Sequence, residues 1–129
     1  MICKPKSQIV SSKKYNFFKK EKKIDKNSRQ FNNQLGGGCI LDLGCYPTSL
    51  SLLICSLVKN IDYNEFKITN LVREIGSTGV DINAEAKIIF DNDFNAEVKA
   101  SFKKNLGNNT IIKGKKGKIA GIFNFQATH

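Results

Sequence analysis

Two stretches of the chain alternate apolar with mostly polar residues. Val80, Ile82, Ala84, Ala86, Ile88 and Phe90 form one row, Asp91-Asn92-Asp93 supplies a turn, and Phe94, Ala96, Val98, Ala100 and Phe102 form a second row. A period of two puts each row on one side of a pleated strand, so the pattern predicts an antiparallel hairpin with one buried face. Residues 66–75 predict a preceding strand. Residues 110–113 and 118–123 predict a second hairpin through Gly114-Lys115-Lys116-Gly117, and the β-leaning run 9–18, with Tyr15, Phe17 and Phe18, predicts a first strand. Between the first strand and the hairpins the period changes. Over 38–59 the spacing is helical, with Leu50, Leu53, Ile54, Leu57 and Val58 at i, i+3, i+4, i+7 and i+8, a stripe expected to pack on the sheet. Pro47 cannot donate to the carbonyl of Leu43, so the helix should kink or restart just after Tyr46, unless Pro47 opens it with Asp42 and Tyr46 in the turn before.

Together these elements predict an α+β fold: an open, mainly antiparallel sheet with a long helix packed on one face. The small inward residues Ala84, Ala86, Ala96 and Ala100 leave room for that helix to approach closely. Residues 19–33 are polar and poor in apolar side chains, which reads as a long exposed loop. The organisation expected is a first strand and basic loop over 1–34, followed by the α+β body over 35–129.

At 129 residues the chain holds one domain's worth of core. Its formal charge of +10 invites a nucleic-acid reading, but the charge is unevenly spread. Residues 1–30 carry ten Lys/Arg against two acids, a net of +8, and the other 99 carry eleven against nine, a net of +2. Nineteen of the basic residues are Lys and only Arg29 and Arg73 are Arg, whereas base readout favours the guanidinium fork. The basic segment therefore reads as a solvated surface with a compositional bias, also visible in fourteen Asn. The cysteines Cys3, Cys39, Cys45 and Cys55 form no CxxC pair, and His129 is the sole His, which argues against a metal site. Cys39, Cys45 and Cys55 lie in or beside the helix, where free cysteine commonly acts as a small hydrophobe. With no signal-peptide pattern and no apolar run of membrane-spanning length expected, the reducing cytoplasm is the anticipated compartment.

The chemistry concentrates in Leu35-Gly36-Gly37-Gly38-Cys39-Ile40-Leu41-Asp42-Leu43-Gly44-Cys45-Tyr46-Pro47. Asp and Tyr four apart share one face of a helix, and a carboxylate beside a phenol suits proton transfer. Glycines in front let a ligand approach the backbone. A first-turn Asp favoured by the helix dipole and a Tyr packed into the core explain the same residues without chemistry.

The run GGGxxxDxGxYP followed by an apolar helix resembles the signature of the glucose-fructose oxidoreductase and inositol dehydrogenase family, Gfo/Idh/MocA. The resemblance extends from about residue 9 to Phe123, with motif-grade identity confined to 36–47. It implies the family's C-terminal domain, which shapes the substrate pocket and commonly the homo-oligomer interface. The catalytic set it implies is Asp42 and Tyr46 together with a Lys from an N-terminal Rossmann half. Gly36, Gly37 and Gly38 would then supply pocket backbone, and Lys19, Lys20 or Arg29 would border the substrate opening. Tyr rather than His at position 46 resembles the branch of glucose-fructose oxidoreductase and dihydrodiol dehydrogenase.

The cofactor implied is NAD or NADP, but the chain shows no GxGxxG and no Glu-Lys-Pro segment, so the cofactor site is expected outside it. Gly76/Gly79 and Gly114/Gly117 read as turns, and Lys4-Pro5 is only superficially like the lysine segment. The function expected is the C-terminal substrate-binding and oligomerisation domain of an NAD(P)-dependent oxidoreductase acting on a sugar, polyol or diol hydroxyl, inactive by itself. Such a chain would be a gene fragment, a split frame or an incomplete record. Two rivals are a small basic α+β module contacting nucleic acid or an acidic partner through residues 4–29, and a decayed fragment without a role.

Overall fold

The computed structural model describes residues 7–14, 25–91, 94–104, 106 and 109–122, the first strand by its backbone. Six strands form one sheet: β1 Ser7–Lys14, β2 Lys67–Ile75, β3 Asp81–Asp91, β4 Phe94–Ser101, β5 Asn109–Gly114 and β6 Gly117–Ile122. They lie in the order β2-β3-β4-β1-β5-β6. Both predicted hairpins are present, with Ala84 opposite Ala100 and Ile88 opposite Ala96 in the first, and Gly114 opposite Gly117 in the second. Every neighbouring pair is antiparallel except β1 with β4. β1 inserts between the hairpins, running parallel to β4 from Ser7 beside Phe94 to Lys14 beside Ser101. The fold is thus the expected α+β type. Its first strand is a central stave of the same sheet, continuous with the body predicted from residue 35 onward. Tyr15, Phe17, Phe18, Lys19, Lys20, Phe123, Phe125 and His129 lie outside the described residues.

The even-numbered row of β3 and β4 faces the helix and makes the core, in two clusters. One gathers Ile88, Phe90, Phe94 and Ala96 around Cys55; the other gathers Ala84, Ala100 and Phe102 around Cys39 and Leu43. Aromatic rings extend both ends of this layer, with Phe90 against Phe94 at 5.7 Å between centroids and Phe31 against Phe102 at 5.3 Å. The opposite face is polar. Glu85 and Lys99 form an ion pair across β3 and β4 at 3.2 Å, and Lys87 stands opposite Glu97.

The helix departs from its predicted form in two ways. It starts as a π-helix over Ile40–Gly44, with Cys39 already helical, and becomes α1 over Cys45–Ser56. The widening precedes Tyr46 instead of following it. Pro47 then falls within the first turn of α1, directly after the widened turn, the kind of ladder irregularity that accommodates a proline inside a helical run. The buried stripe also differs: Cys39, Leu43, Pro47, Ser51 and Cys55, each four residues from the last, are the positions removed from solvent. Leu53 and Leu57, placed on the sheet by the periodicity, are 58% and 76% exposed, while Leu52, Ile54 and Val58 flank the core.

The physical reason is steric. A row of alanines on the sheet accepts a helix face built of small side chains, and Ser51 can be buried there because its hydroxyl donates to the carbonyl of Pro47 at 2.7 Å. Against the expectation of no such run, residues 33–56 are long and apolar enough to cross a membrane by length and composition. They are not one rod, since Gly36 turns left-handed at φ 67°, and the small-residue face that follows packs on the sheet as a core helix does.

Candidate functional site

The segment leading into the helix folds on itself. Two short 3-10 turns, Arg29–Phe31 and Asn33–Leu35, are joined at Asn32, whose side chain accepts from the N–H of Gln34 at 3.0 Å. The chain returns through the glycines: Gly37 N–H donates to the carbonyl of Asn32 at 2.9 Å and Gly38 N–H to that of Gln30 at 2.8 Å. The missing side chains are needed for this closure. A Cβ on Gly37 would lie 2.6 to 2.8 Å from the carbonyl oxygens of Gln30, Arg29 and Asn32. At Gly38, held at φ 111°, it would lie 2.5 Å from the carboxylate of Asp81.

That carboxylate sits at the start of β3 and caps the helix from a distance in sequence. Asp81 accepts from the N–H of Ile40 at 2.7 Å and from the thiol of Cys39 at 3.2 Å. Burial, then the hydrogen bond to Asp81 and its charge, push the Cys39 thiol far above its ordinary pKa, so it stays protonated and inert. Of the predicted site residues, Asp42 is the most firmly placed. Arg29 Nη2 donates to its Oδ1 at 2.5 Å and Gln30 Nε2 to its Oδ2 at 3.2 Å. Asp42 is 12% exposed while its Arg29 partner is 57% exposed, so a sheltered carboxylate holds a cation that faces solvent. Tyr46 lies one turn on, half-buried in the first turn of α1, and Cys45 between them is exposed.

The structure therefore joins Asp42 to Arg29 and Gln30, and assigns Gly37 and Gly38 to close packing within the chain, with Gly36 exposed. The glycine triplet does not suit a dinucleotide phosphate: what faces Gly37 is a ring of carbonyl acceptors. Gln30 and Asp81 escaped the sequence reading. For Arg29 a signal did exist, since it is one of two arginines among twenty-one basic residues. Beside the helix start an apolar groove of about 240 Å³ opens between Ile40, Gly44 and Thr48 on one side and Ile68, Leu71 and Ala84 on the other. Among the described residues no group of three His, Cys, Asp or Glu could hold a metal ion.

A family model described as the GFO/IDH/MocA C-terminal domain matches residues 10–120. Among solved structures, one similar chain is a tyrosine-to-phenylalanine mutant of KijD10, a 3-ketoreductase from Actinomadura kijaniata, in complex with TDP-benzene and NADP. The match has a TM-score of 0.65 at 16% identity, and covers 86% of this chain and 30% of that one. At that identity the likeness is one of fold. A search of curated proteins gives no significant match.

Proposed function

Since the chain belongs to the GFO/IDH/MocA family as a C-terminal domain, we propose that it is the substrate-binding half of an NAD(P)-dependent oxidoreductase acting on a sugar, polyol or diol hydroxyl. The observation that carries this reading is the sheltered Asp42 carboxylate, fixed through both oxygens one turn before Tyr46 at the start of the helix. A carboxylate held this way is pre-organised to orient a neighbour, and the Tyr46 phenol is the group able to exchange a proton with a substrate hydroxyl. Tyr rather than His at position 46 supports an assignment to the tyrosine-bearing branch of the family. The redox step needs a nicotinamide, which would be held by a Rossmann half, since Gly37 here faces the carbonyls of Arg29, Gln30 and Asn32 and Gly38 the carboxylate of Asp81. The chain alone is inactive on this reading.

The sugar character of the substrate is supported by the fold neighbour, a 3-ketoreductase bound to TDP-benzene. Exposed apolar side chains on the two edge strands, Ile68, Val72 and Ile75 on β2 and Ile119 on β6, support self-association through the sheet edges. Free Cys39, Cys45 and Cys55 fit a reducing compartment such as the cytoplasm. The basic binding module is not favoured, as residues 10–120 answer to an oxidoreductase family. The test joins this chain to a Rossmann half of the same family and measures turnover. Tyr46→Phe should lower kcat by roughly 10²-fold or more with cofactor affinity unchanged. An unaltered kcat would make Tyr46 a packing residue.

A further inference from the structure

Gln30 exchanges no proton in the reading above, yet its main chain and its side chain both tie it to the site. Its carbonyl accepts the N–H of Gly38 at 2.8 Å, and its Nε2 donates to Asp42 Oδ2 at 3.2 Å. It sits within the 3-10 turn Arg29–Phe31, and the next residue, Phe31, packs its ring on Phe102, a member of the buried cluster around Cys39 and Leu43. The turn is thus fastened to the glycine loop and to the core, so the Gln30 amide starts from a fixed backbone. Gly37 permits that closeness, since a Cβ there would lie 2.6 Å from the Gln30 carbonyl oxygen. Glycines that could have opened the backbone to a ligand are turned inward here, and they deliver Arg29 and Gln30 to Asp42.

The two donors on Asp42 differ in kind. Arg29 brings a charge to Oδ1 from a side chain that is 57% exposed, and an ion pair reached by a long solvated side chain holds its geometry weakly. A carboxylate gripped at one oxygen can still swing about Cβ–Cγ, a torsion with broad wells. Gln30 grips the other oxygen from a half-buried position, and as a neutral amide it adds orientation without charge. Held at both oxygens, the carboxylate keeps one plane, one turn before Tyr46.

Resting on the proposed oxidoreductase reading, we propose that Gln30 is the positioning residue of Asp42: its amide fixes the plane of the carboxylate for the chemical step and touches no substrate itself. Loss of the donor then slows turnover and leaves binding alone, because what is lost is the alignment of a group already in place. A residue that only braced the loop would lower stability whether or not Asp42 were present.

Two measurements test this. In the chain itself, Gln30→Met keeps the length of the side chain and removes the donor. Its effect on the urea midpoint should vanish in an Asp42→Ala background, whereas a brace for the loop would give the same shift in both. In the enzyme completed with a Rossmann half, Gln30→Met should lower kcat by about tenfold with KM for substrate and cofactor unchanged. Gln30→Lys, which returns a donor, should recover most of that loss. Gln30→Asn, a methylene shorter and unable to reach Oδ2 from the same backbone, takes the place of Gln30→Met should that variant fail to fold. Three results would each overturn the proposal alone: an equal midpoint effect in both backgrounds, a raised KM at unchanged kcat, or an unchanged kcat in a completed enzyme that Tyr46→Phe does slow. A loss that Gln30→Lys fails to recover would overturn it as well. A completed enzyme without turnover, or one indifferent to Tyr46→Phe, overturns the oxidoreductase reading and with it the role given to Gln30, so the two failures are told apart.

Discussion

Substituting Gly38 by Ala should be far more damaging than the same change at Gly36, although both glycines have positive φ. At Gly36, φ is 67° and the nearest atom to a new Cβ is Leu41 Cδ1 at 3.9 Å. Only the left-handed backbone is penalised there, by about 1 kcal/mol. At Gly38, φ is 111° and the Cβ would meet Asp81 Oδ1 at 2.5 Å. The backbone strain is of order 1–3 kcal/mol, and the carboxylate must leave the N–H of Ile40, which adds about 1 kcal/mol for a lost cap.

Both alanines restrict the unfolded chain equally, so that contribution cancels in the comparison. The expected difference is about 2 kcal/mol, read by urea denaturation followed by circular dichroism as a gap of about 1 M or more between the two midpoints. A double-mutant cycle of Gly38→Ala with Asp81→Ala isolates the clash. Coupling of about 1 kcal/mol or more is expected, since removing the carboxylate relieves the contact. Equal destabilisation by the two glycine variants, or additivity in the cycle, would refute the account of Asp81 as the group that dictates glycine at 38.

The exposed helix face makes a second expectation: Leu53→Lys and Leu57→Lys should each change stability by less than about 0.5 kcal/mol, whereas Leu43→Ala should cost about 2–5 kcal/mol. Comparable losses at Leu53 and Leu43 would restore the stripe that periodicity suggested. Thiol labelling should find Cys45 reactive in the folded protein and Cys39 and Cys55 protected until it unfolds. The same two buried thiols predict alkaline sensitivity. Burial first, then Asp81 for Cys39 and Asp62 for Cys55, raise them above the ordinary value of 9.0. Above that pH the unfolded chain sheds these protons while the folded one keeps them, so stability falls by up to about 1.4 kcal/mol per pH unit per thiol. Cys39→Ala should flatten the decline between pH 9 and 10 relative to the unmodified chain, and an unchanged slope would contradict it.

What the sequence conveyed depended on how local the cause was. The hairpins β3-β4 and β5-β6 were legible because alternation and turn residues act within a few positions. The parallel partnership of β1 with β4 joins Ile9 to Ala96, and nothing in either strand encodes it. The helix was legible as a helix, but its buried side was not: apolarity picked Leu53 and Leu57, while the alanine row of the sheet selected Pro47, Ser51 and Cys55 for their size. At the candidate site the motif exposed Asp42 and Tyr46, and Arg29 could be suspected only as a loop residue. Gln30 and Asp81 were hidden because their partners lie twelve and forty-one residues away.

Of the six strands of this sheet, the earliest in the chain is the one that ends at its middle. β1 has both of its neighbours, β4 and β5, more than eighty residues downstream, so during synthesis it waits with both edges unpaired until almost the whole domain has been made. The meander β2-β3-β4 can close on its own by short turns, but its β4 edge stays open for that interval. Any extended segment, including β1 of another copy, can pair there first. The domain's route to its fold therefore contains a window for strand exchange between chains, and its assembly rate is set by closing the longest loop in the structure.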